Sequence, residues 1–131
     1  LDGLGGIVIE VTHHGDFKNA ERFLKRMSRR QQFGWLDSYG IRGVDALSNA
    51  TPKDTRETSR RWRYSVTEKR GRITITWYND NEDDGVPIVI LIQYGHATRN
   101  GGYVQGRDFI NPAMQPLFDQ MSYEIWKRVT Q

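Results

Sequence analysis

The sequence predicts an α+β fold, and three observations carry that expectation. Apolar residues recur at helical spacing up to about Asn49, alternate as in strands from Ser59 to Asn79, and return to helical spacing after Asn111. The switch between the first two regimes falls in Ala50–Tyr64, A-T-P-K-D-T-R-E-T-S-R-R-W-R-Y. With 131 residues and 37% hydrophobic content, the chain has apolar matter for one core, so a single domain over 1–131 is expected.

Taken in order, Ile7, Ile9 and Val11 alternate with Val8, Glu10 and Thr12, which reads as a short strand. His13-His14-Gly15 reads as a turn, and Asp16 as the N-cap of a helix from Phe17 that fades near Arg30, before Gly34. A second helix fits Trp35 to about Asn49, with Leu36, Tyr39, Gly40, Gly43, Val44 and Leu47 on one stripe. Each glycine costs a helix about 1 kcal/mol, so two on the buried stripe imply close approach to a neighbouring element. Thr51-Pro52 ends that helix, since proline disfavours helical backbone in the residue before it.

Two strands follow, about Ser59–Glu68 and Arg72–Asn79, joined by a hairpin turn at Glu68-Lys69-Arg70-Gly71. Their apolar faces nominate a core of Trp62, Tyr64, Ile73, Ile75 and Trp77, to which the last helix adds Phe118. Asn79–Gly85 reads as an acidic, solvated loop. The run Val86–Ile92 is apolar throughout, and periodicity does not separate helix from strand there. Tyr94–Phe109, with four glycines, reads as a flexible loop or an extended hairpin with its tip near Asn100-Gly101. Asn111-Pro112 looks like a cap followed by a first-turn proline, opening a helix striped by Met114, Leu117, Phe118, Met121, Ile125 and Val129.

Composition removes whole classes of chemistry. There is no cysteine, hence no disulfide, thiolate catalysis or cysteine-based zinc site. No run approaches the roughly 18–20 apolar residues of a membrane span, and no signal-peptide layout opens the chain, which points to a soluble cytosolic protein. Asp80-x-Glu82-x-Asp84-Gly85 imitates the start of a calcium loop, but Leu91 stands where a bidentate glutamate is required. Neighbouring His13 and His14 point apart on a strand end, and His96 has no evident acid–base partner. The glycine-rich stretch matches neither phosphate-loop pattern, Arg107 and Asp108 are positioned to pair with each other, and no nucleophile elbow is present. No cofactor, metal or catalytic residue is nominated.

Charge is polarised rather than large: 19 basic against 16 acidic residues give +3. Arg56, Arg60, Arg61 and Arg63, extended by Arg72, form a basic stripe able to lie beside phosphates. A solvated or ion-paired strand face explains the same residues equally well. The acids crowd Asp80–Asp84, so basic and acidic patches also suit pairing between copies of the chain.

The order of motifs resembles a known family. G-V-D-A-L-S-N-A-T-P-K-D-T (Gly43–Thr55) and S-R-R-W-R-Y (Ser59–Tyr64), then I-Q-Y-G-H-A-T-R (Ile92–Arg99) and F-I-N-P-A (Phe109–Ala113), are similar to the tail-completion, or head–tail joining, neck proteins of long-tailed bacteriophages and prophages. Arg56 departs from the pattern, standing where the family usually has glycine. The resemblance covers about Phe17 to Val129. It implies a small twisted antiparallel sheet flanked by helices, with Val86–Ile92 as a short helix. It also implies a non-enzymatic virion protein at the neck, assembled in the host cytoplasm as a ring around double-stranded DNA. Its neighbours would be portal-proximal connector proteins and the tail terminator or tail tube, with no membrane and no small-molecule substrate. On that reading Thr51, Pro52, Asp54, Thr55, Tyr94, Gly95, His96 and Tyr103 contact neighbouring copies or rings, and Arg56, Arg60, Arg61 and Arg63 face the DNA. Two readings from other classes stand beside it: a DNA- or RNA-binding module using the Arg56–Arg72 stripe, and a metal-dependent hydrolase or nuclease using the histidines with Asp80–Asp84.

Overall fold

The structure, a computed structural model, describes residues 8–12, 29–52, 56–69 and 72–129. Within them the fold is α+β, with small antiparallel sheets and a long C-terminal helix. Strands β1 (Val8–Thr12), β2 (Trp62–Lys69) and β3 (Arg72–Asn79) form one antiparallel sheet in the order β1-β3-β2. The β2–β3 register runs from Trp62↔Asn79 to Lys69↔Arg72. Packed on this sheet is α1 (Arg29–Ala50), and against α1 lies α4 (Ile110–Val129). Between β3 and α4 come β4 (Glu82–Asp83), β5 (Val86–Pro87), α3 (Ile88–Tyr94), β6 (Gly95–Ala97) and β7 (Tyr103–Gln105). The short α2 (Arg56–Ser59) sits between α1 and β2.

Helix α1 corrects one boundary. The chain is helical from Arg29 straight through Gly34, where the sequence reading placed a break. Gly34 faces open space and weakens the helix without blocking it, and the packed stripe downstream outweighs its propensity cost. The expected helix from Phe17 falls mostly outside the described residues.

The two stripe glycines have a steric cause. A Cβ on Gly40 would run into the Tyr64 ring, and one on Gly43 into the Trp77 indole. The close approach lets Trp77 Nε1 donate to the Gly40 carbonyl at 2.9 Å, giving a fully buried indole its partner. Leu36, Tyr39 and Leu47 of α1, Trp62, Ile75 and Trp77 of the sheet, Val89 of α3, and Phe109, Ile110, Met114, Leu117 and Met121 form the core. Of the core residues named from sequence, Trp62, Ile75 and Trp77 are buried, Tyr64 and Phe118 pack partly buried against them, and the Ile73 side chain lies outside the described residues.

The segment after Pro52 is a built joint. Asn79 Nδ2 donates to the Thr58 carbonyl (2.7 Å), Asn81 Nδ2 donates to Thr58 Oγ1 (2.8 Å), and Ser48 Oγ donates to the Ser59 carbonyl (2.7 Å). Thr58 and Asn79 are each 1% exposed, so polar residues that read as loop are the buried clasp between α1, α2 and the end of β3. The expected strand from Ser59 accordingly starts only at Trp62.

Further on, Asp84 (φ 51°) and Gly85 (φ 77°) both take left-handed backbone, the pattern of a type I′ turn, and close the β4–β5 hairpin. Pro87, extended at φ −63° and ψ 127°, precedes α3, which settles Ile88–Tyr94 as helix. The helix ends on Gly95 at φ 82°. The glycine-rich stretch is an ordered hairpin, β6 paired with β7, and Gly101 supplies φ 81° at its tip. Helix α4 is capped one turn earlier than expected. Asp108 Oδ1 accepts from the Asn111 N–H (3.2 Å), and Gln93 Oε1 accepts from the N–H groups of Phe109 (3.2 Å) and Ile110 (3.4 Å). Gln93 also donates to Asp108 at 2.7 Å, so α3 and the start of α4 share one polar knot. Asp108 therefore pairs with Gln93 and Asn111. The Gln93 bond is foremost among the contacts that hold the Asp108 carboxyl below its usual pKa.

Candidate interaction surfaces

The residues nominated from sequence divide between core, hairpin and edge. Thr51 is 3% exposed; its hydroxyl donates to the Leu47 carbonyl (2.7 Å) and accepts from Trp62 Nε1 (2.9 Å). Thr51 is thus an internal bond that ends α1 and satisfies a buried indole, which corrects its assignment to a surface facing a neighbour. Pro52 is half-buried beside it, while Asp54 and Thr55 fall outside the described residues.

Tyr94, Gly95, His96 and Tyr103 do come together, on the β6–β7 hairpin and the helix end that feeds it. Tyr94 is 68% exposed and Tyr103 66%, with Val104 also exposed. The base of the hairpin is tight: the Tyr103 hydroxyl donates to the Tyr94 carbonyl (3.2 Å), and the backbones of Gly95 and Gly106 leave no room for a Cβ on either. His96 is half-buried, its Nδ1 enclosed without a hydrogen-bond partner. A rigid base carrying large exposed aromatic groups presents them in one fixed arrangement.

The arginine stripe is engaged locally. Arg61, in the turn before β2, places Nε 3.1 Å from Glu57 and 3.7 Å from Asp80, and its Nη1 lies 3.4 Å from Asn81 Oδ1. Arg63 donates Nη1 to the carbonyls of Arg60 (3.2 Å) and Trp62 (3.0 Å). Arg60 is exposed, and the side chains of Arg56 and Arg72 lie outside the described residues. Acids from α2 and from the end of β3 fold onto this edge and cancel part of its charge.

The acidic segment becomes the β4–β5 hairpin, with Glu82, Asp83 and Asp84 exposed and Val86 41% exposed beside them. Asp84 meets Arg99 at 4.0 Å between two solvent-exposed groups. No group of three His, Asp or Glu side chains converges on a point among the described residues, and His13 and His14 lie outside them. Among the described residues no helix is long and apolar enough to cross a membrane.

A fourth surface had no sequence signature. Between α1 and α4 runs a groove in two parts. The first, about 530 Å³, lies among Trp35, Tyr39 and Arg42 of α1 and Tyr123, Glu124 and Lys127 of α4. The second, about 370 Å³, adds an apolar floor of Ala46, Ala113, Pro116 and Leu117, and the two parts share Arg42 and Gln120. Trp35 Nε1 donates to Glu124 Oε2 at 2.9 Å, and the Arg42 guanidinium stands 4.7 Å over the Tyr39 ring. Burial opposes the charge on Glu124, but the nearby Tyr39 hydroxyl and the Trp35 and Gln120 donors outweigh it and hold the carboxyl below its usual pKa. Burial first, and then Glu124, push the Tyr39 hydroxyl up to about 12, with Arg42 acting the other way. Glu124 and Arg42 bear on that hydroxyl, yet neither meets it in hydrogen-bonding geometry, so the oxygen is enclosed without a partner. Tyr39 read from sequence as a core residue, and its ring is one; the hydroxyl became visible only when α4 closed over it.

Compared with known proteins, the chain matches no family model, no curated sequence and no solved structure.

Proposed function

We propose that this chain is a non-enzymatic structural protein of the neck of a long-tailed bacteriophage, one copy in a ring that joins the head connector to the tail around the DNA path. The order and spacing of the four motifs supply the family. The α+β architecture with a C-terminal helix is compatible with it. The observation that carries the role is the β6–β7 hairpin: Tyr94, Tyr103 and Val104 stand exposed together on a base with no slack. Exposed aromatic clusters on ordered elements mark protein–protein contacts, and tyrosine contributes large contact area at low entropic cost. In this reading the hairpin meets an adjacent ring, while basic and acidic edges meet across copies. In this reading the isolated chain binds DNA only weakly, in keeping with the ion pairs of Arg61 to Glu57 and Asp80.

Size-exclusion chromatography with light scattering, over a range of concentrations and at two salt levels, with and without a short duplex, tests the proposal. Closed oligomers, or a monomer that assembles only with neighbouring neck or tail proteins, are the expected result. A monomer that binds duplex tightly at low salt and releases it at high salt would overturn the neck reading in favour of a nucleic-acid-binding module.

A further inference from the structure

Of the six asparagines in the chain, one stands where its amide is open to attack by its own backbone. An asparagine loses that amide when the nitrogen of the next residue reaches its side-chain Cγ. The reaction asks for a following residue without bulk, a side chain not held elsewhere, and water. Asn79 is 1% exposed, and both its amide atoms are engaged, Nδ2 by the Thr58 carbonyl and Oδ1 by the Asn81 N–H. Asn81 is held by Thr58 and Arg61 and is followed by Glu82. Asn111 precedes Pro112, which has no N–H to lose, and Asn49 precedes Ala50 inside α1. Asn19 lies outside the described residues. Asn100 differs from all of these: it is exposed, it precedes Gly101, and its side chain makes no hydrogen bond among the described residues.

The fold places Asn100 at the tip of the β6–β7 hairpin. Three bonds close that tip: Thr98 N–H donates to the Gly102 carbonyl (2.9 Å), Gly101 N–H to the Thr98 carbonyl (3.2 Å), and Gly102 N–H to Thr98 Oγ1 (3.0 Å). The nitrogen that would attack is therefore restrained by one long bond between exposed residues. Opening it sacrifices no buried contact, which is the kind of local opening that exposed tips undergo. Nothing stands within 4 Å of where a Cβ on Gly101 would lie, so a ring formed there has room.

We propose that Asn100 is a deamidation site built into the tip of this hairpin. The Gly101 nitrogen attacks Asn100 Cγ, the new N–C bond forms, and the Cγ–Nδ2 bond breaks. Ammonia leaves with the proton that Gly101 gave up, and a succinimide ring remains. Water opens the ring at either carbonyl to give aspartate or isoaspartate, with no change of oxidation state. Both products put a carboxylate beside Arg99 where a neutral amide stood. Isoaspartate also routes the main chain through the former side chain, one carbon longer, so the bonds that close the tip on Thr98 cannot all be kept. The strand that carries Tyr103 then loses its closure. The site is independent of the neck reading; only one consequence rests on it, that chains left unassembled lose a contact surface with age.

Ageing the full-length chain in warm, mildly alkaline buffer, with peptide mapping by mass spectrometry at intervals, tests the site. Asn100 converts several times faster than any other asparagine, and most of the product is isoaspartate, read by enzymatic methylation. Asn100→Gln stops the reaction there, because the larger ring closes far more slowly. Thr98→Val, which keeps the branched shape but removes the acceptor of the Gly102 N–H, hastens conversion severalfold. A folded chain whose Asn100 stays intact while the chain in urea converts there overturns the inference, because the turn then protects the site. Conversion led by another asparagine overturns it too, and a Thr98→Val rate equal to wild type overturns the control assigned to the tip. Light scattering of aged against fresh chain reads the consequence separately. Association lost with conversion, and kept by an equally aged Asn100→Gln chain, is the expected result; association that ignores conversion overturns the consequence. The duplex titration decides the neck reading without reference to Asn100.

Discussion

Thr51 and Trp62 show how much of this fold is decided by single polar atoms. The threonine hydroxyl ends α1 and serves as the acceptor of a buried indole, so one oxygen connects helix, joint and sheet. Thr51→Val keeps the shape but strands the indole N–H, and should cost about 1–3 kcal/mol in urea denaturation. Trp62→Ala removes the ring as well and should cost about 3–5 kcal/mol; a loss below about 1 kcal/mol would contradict its place in the core. Tyr39 behaves differently, because its hydroxyl is unpaired. Tyr39→Phe should leave stability at pH 7 unchanged or slightly raised. At alkaline pH the sign follows from linkage: the folded pKa, about 12, lies above the ordinary tyrosine value, so the native state holds this proton more tightly. That contribution is complete below about pH 10 and is lost as pH rises toward 12. Thermal melts across that range should fall more steeply for wild type than for Tyr39→Phe.

At the scale of elements, the glycines of α1 separate propensity from packing. Gly34 is exposed with nothing near its missing Cβ, so Gly34→Ala should stabilise the protein by up to about 1 kcal/mol. Gly43 is buried against the Trp77 indole, and Gly43→Ala should destabilise it by about 1–3 kcal/mol despite the same gain in propensity. Opposite shifts in the two melting curves are the check. The stripe and its close approach were legible in the sequence because helical spacing records which face is buried. The boundary at Gly34 was not, because a glycine's weak local preference yields to the tertiary contacts of its neighbours. Asp84-Gly85 carried a turn signal that the reading of Asn79–Gly85 as one acidic loop passed over, since few dipeptides tolerate two left-handed residues. The cap of α4 was missed for another reason: Gln93, which accepts two of its three N–H groups, lies 16 and 17 residues before them.

For the whole molecule, function lies in what the core leaves outside. The sequence nominated Tyr94 through a motif and Tyr103 through the loop that follows it, and the fold brings them together in the open. It also nominated Thr51, which the fold withdraws into the core, because a motif residue kept for folding and one kept for contact look alike in a string of letters. The groove was illegible, since Tyr39, Arg42 and Glu124 meet only when two helices far apart in sequence pack side by side. If the hairpin is an assembly surface, Tyr103→Ser should leave melting temperature and circular dichroism close to wild type while weakening association by about tenfold, read by light scattering. Loss of the folded state would instead make Tyr103 a strut of the hairpin base, through its bond to the Tyr94 carbonyl.

The indole bond from Trp77 to the helix has an optical consequence. Of the four tryptophans, Trp62 and Trp77 donate to oxygens in a dry interior, whereas Trp126 stands 64% exposed on α4. Iodide should therefore quench Trp126 and leave the two interior rings emitting at short wavelength. With the half-buried Trp35 and the exposed Trp126 both replaced by Phe, the emission maximum becomes a reporter of the α1–sheet seam, so that parting of helix and sheet is seen as a red shift before the rest of the chain unravels.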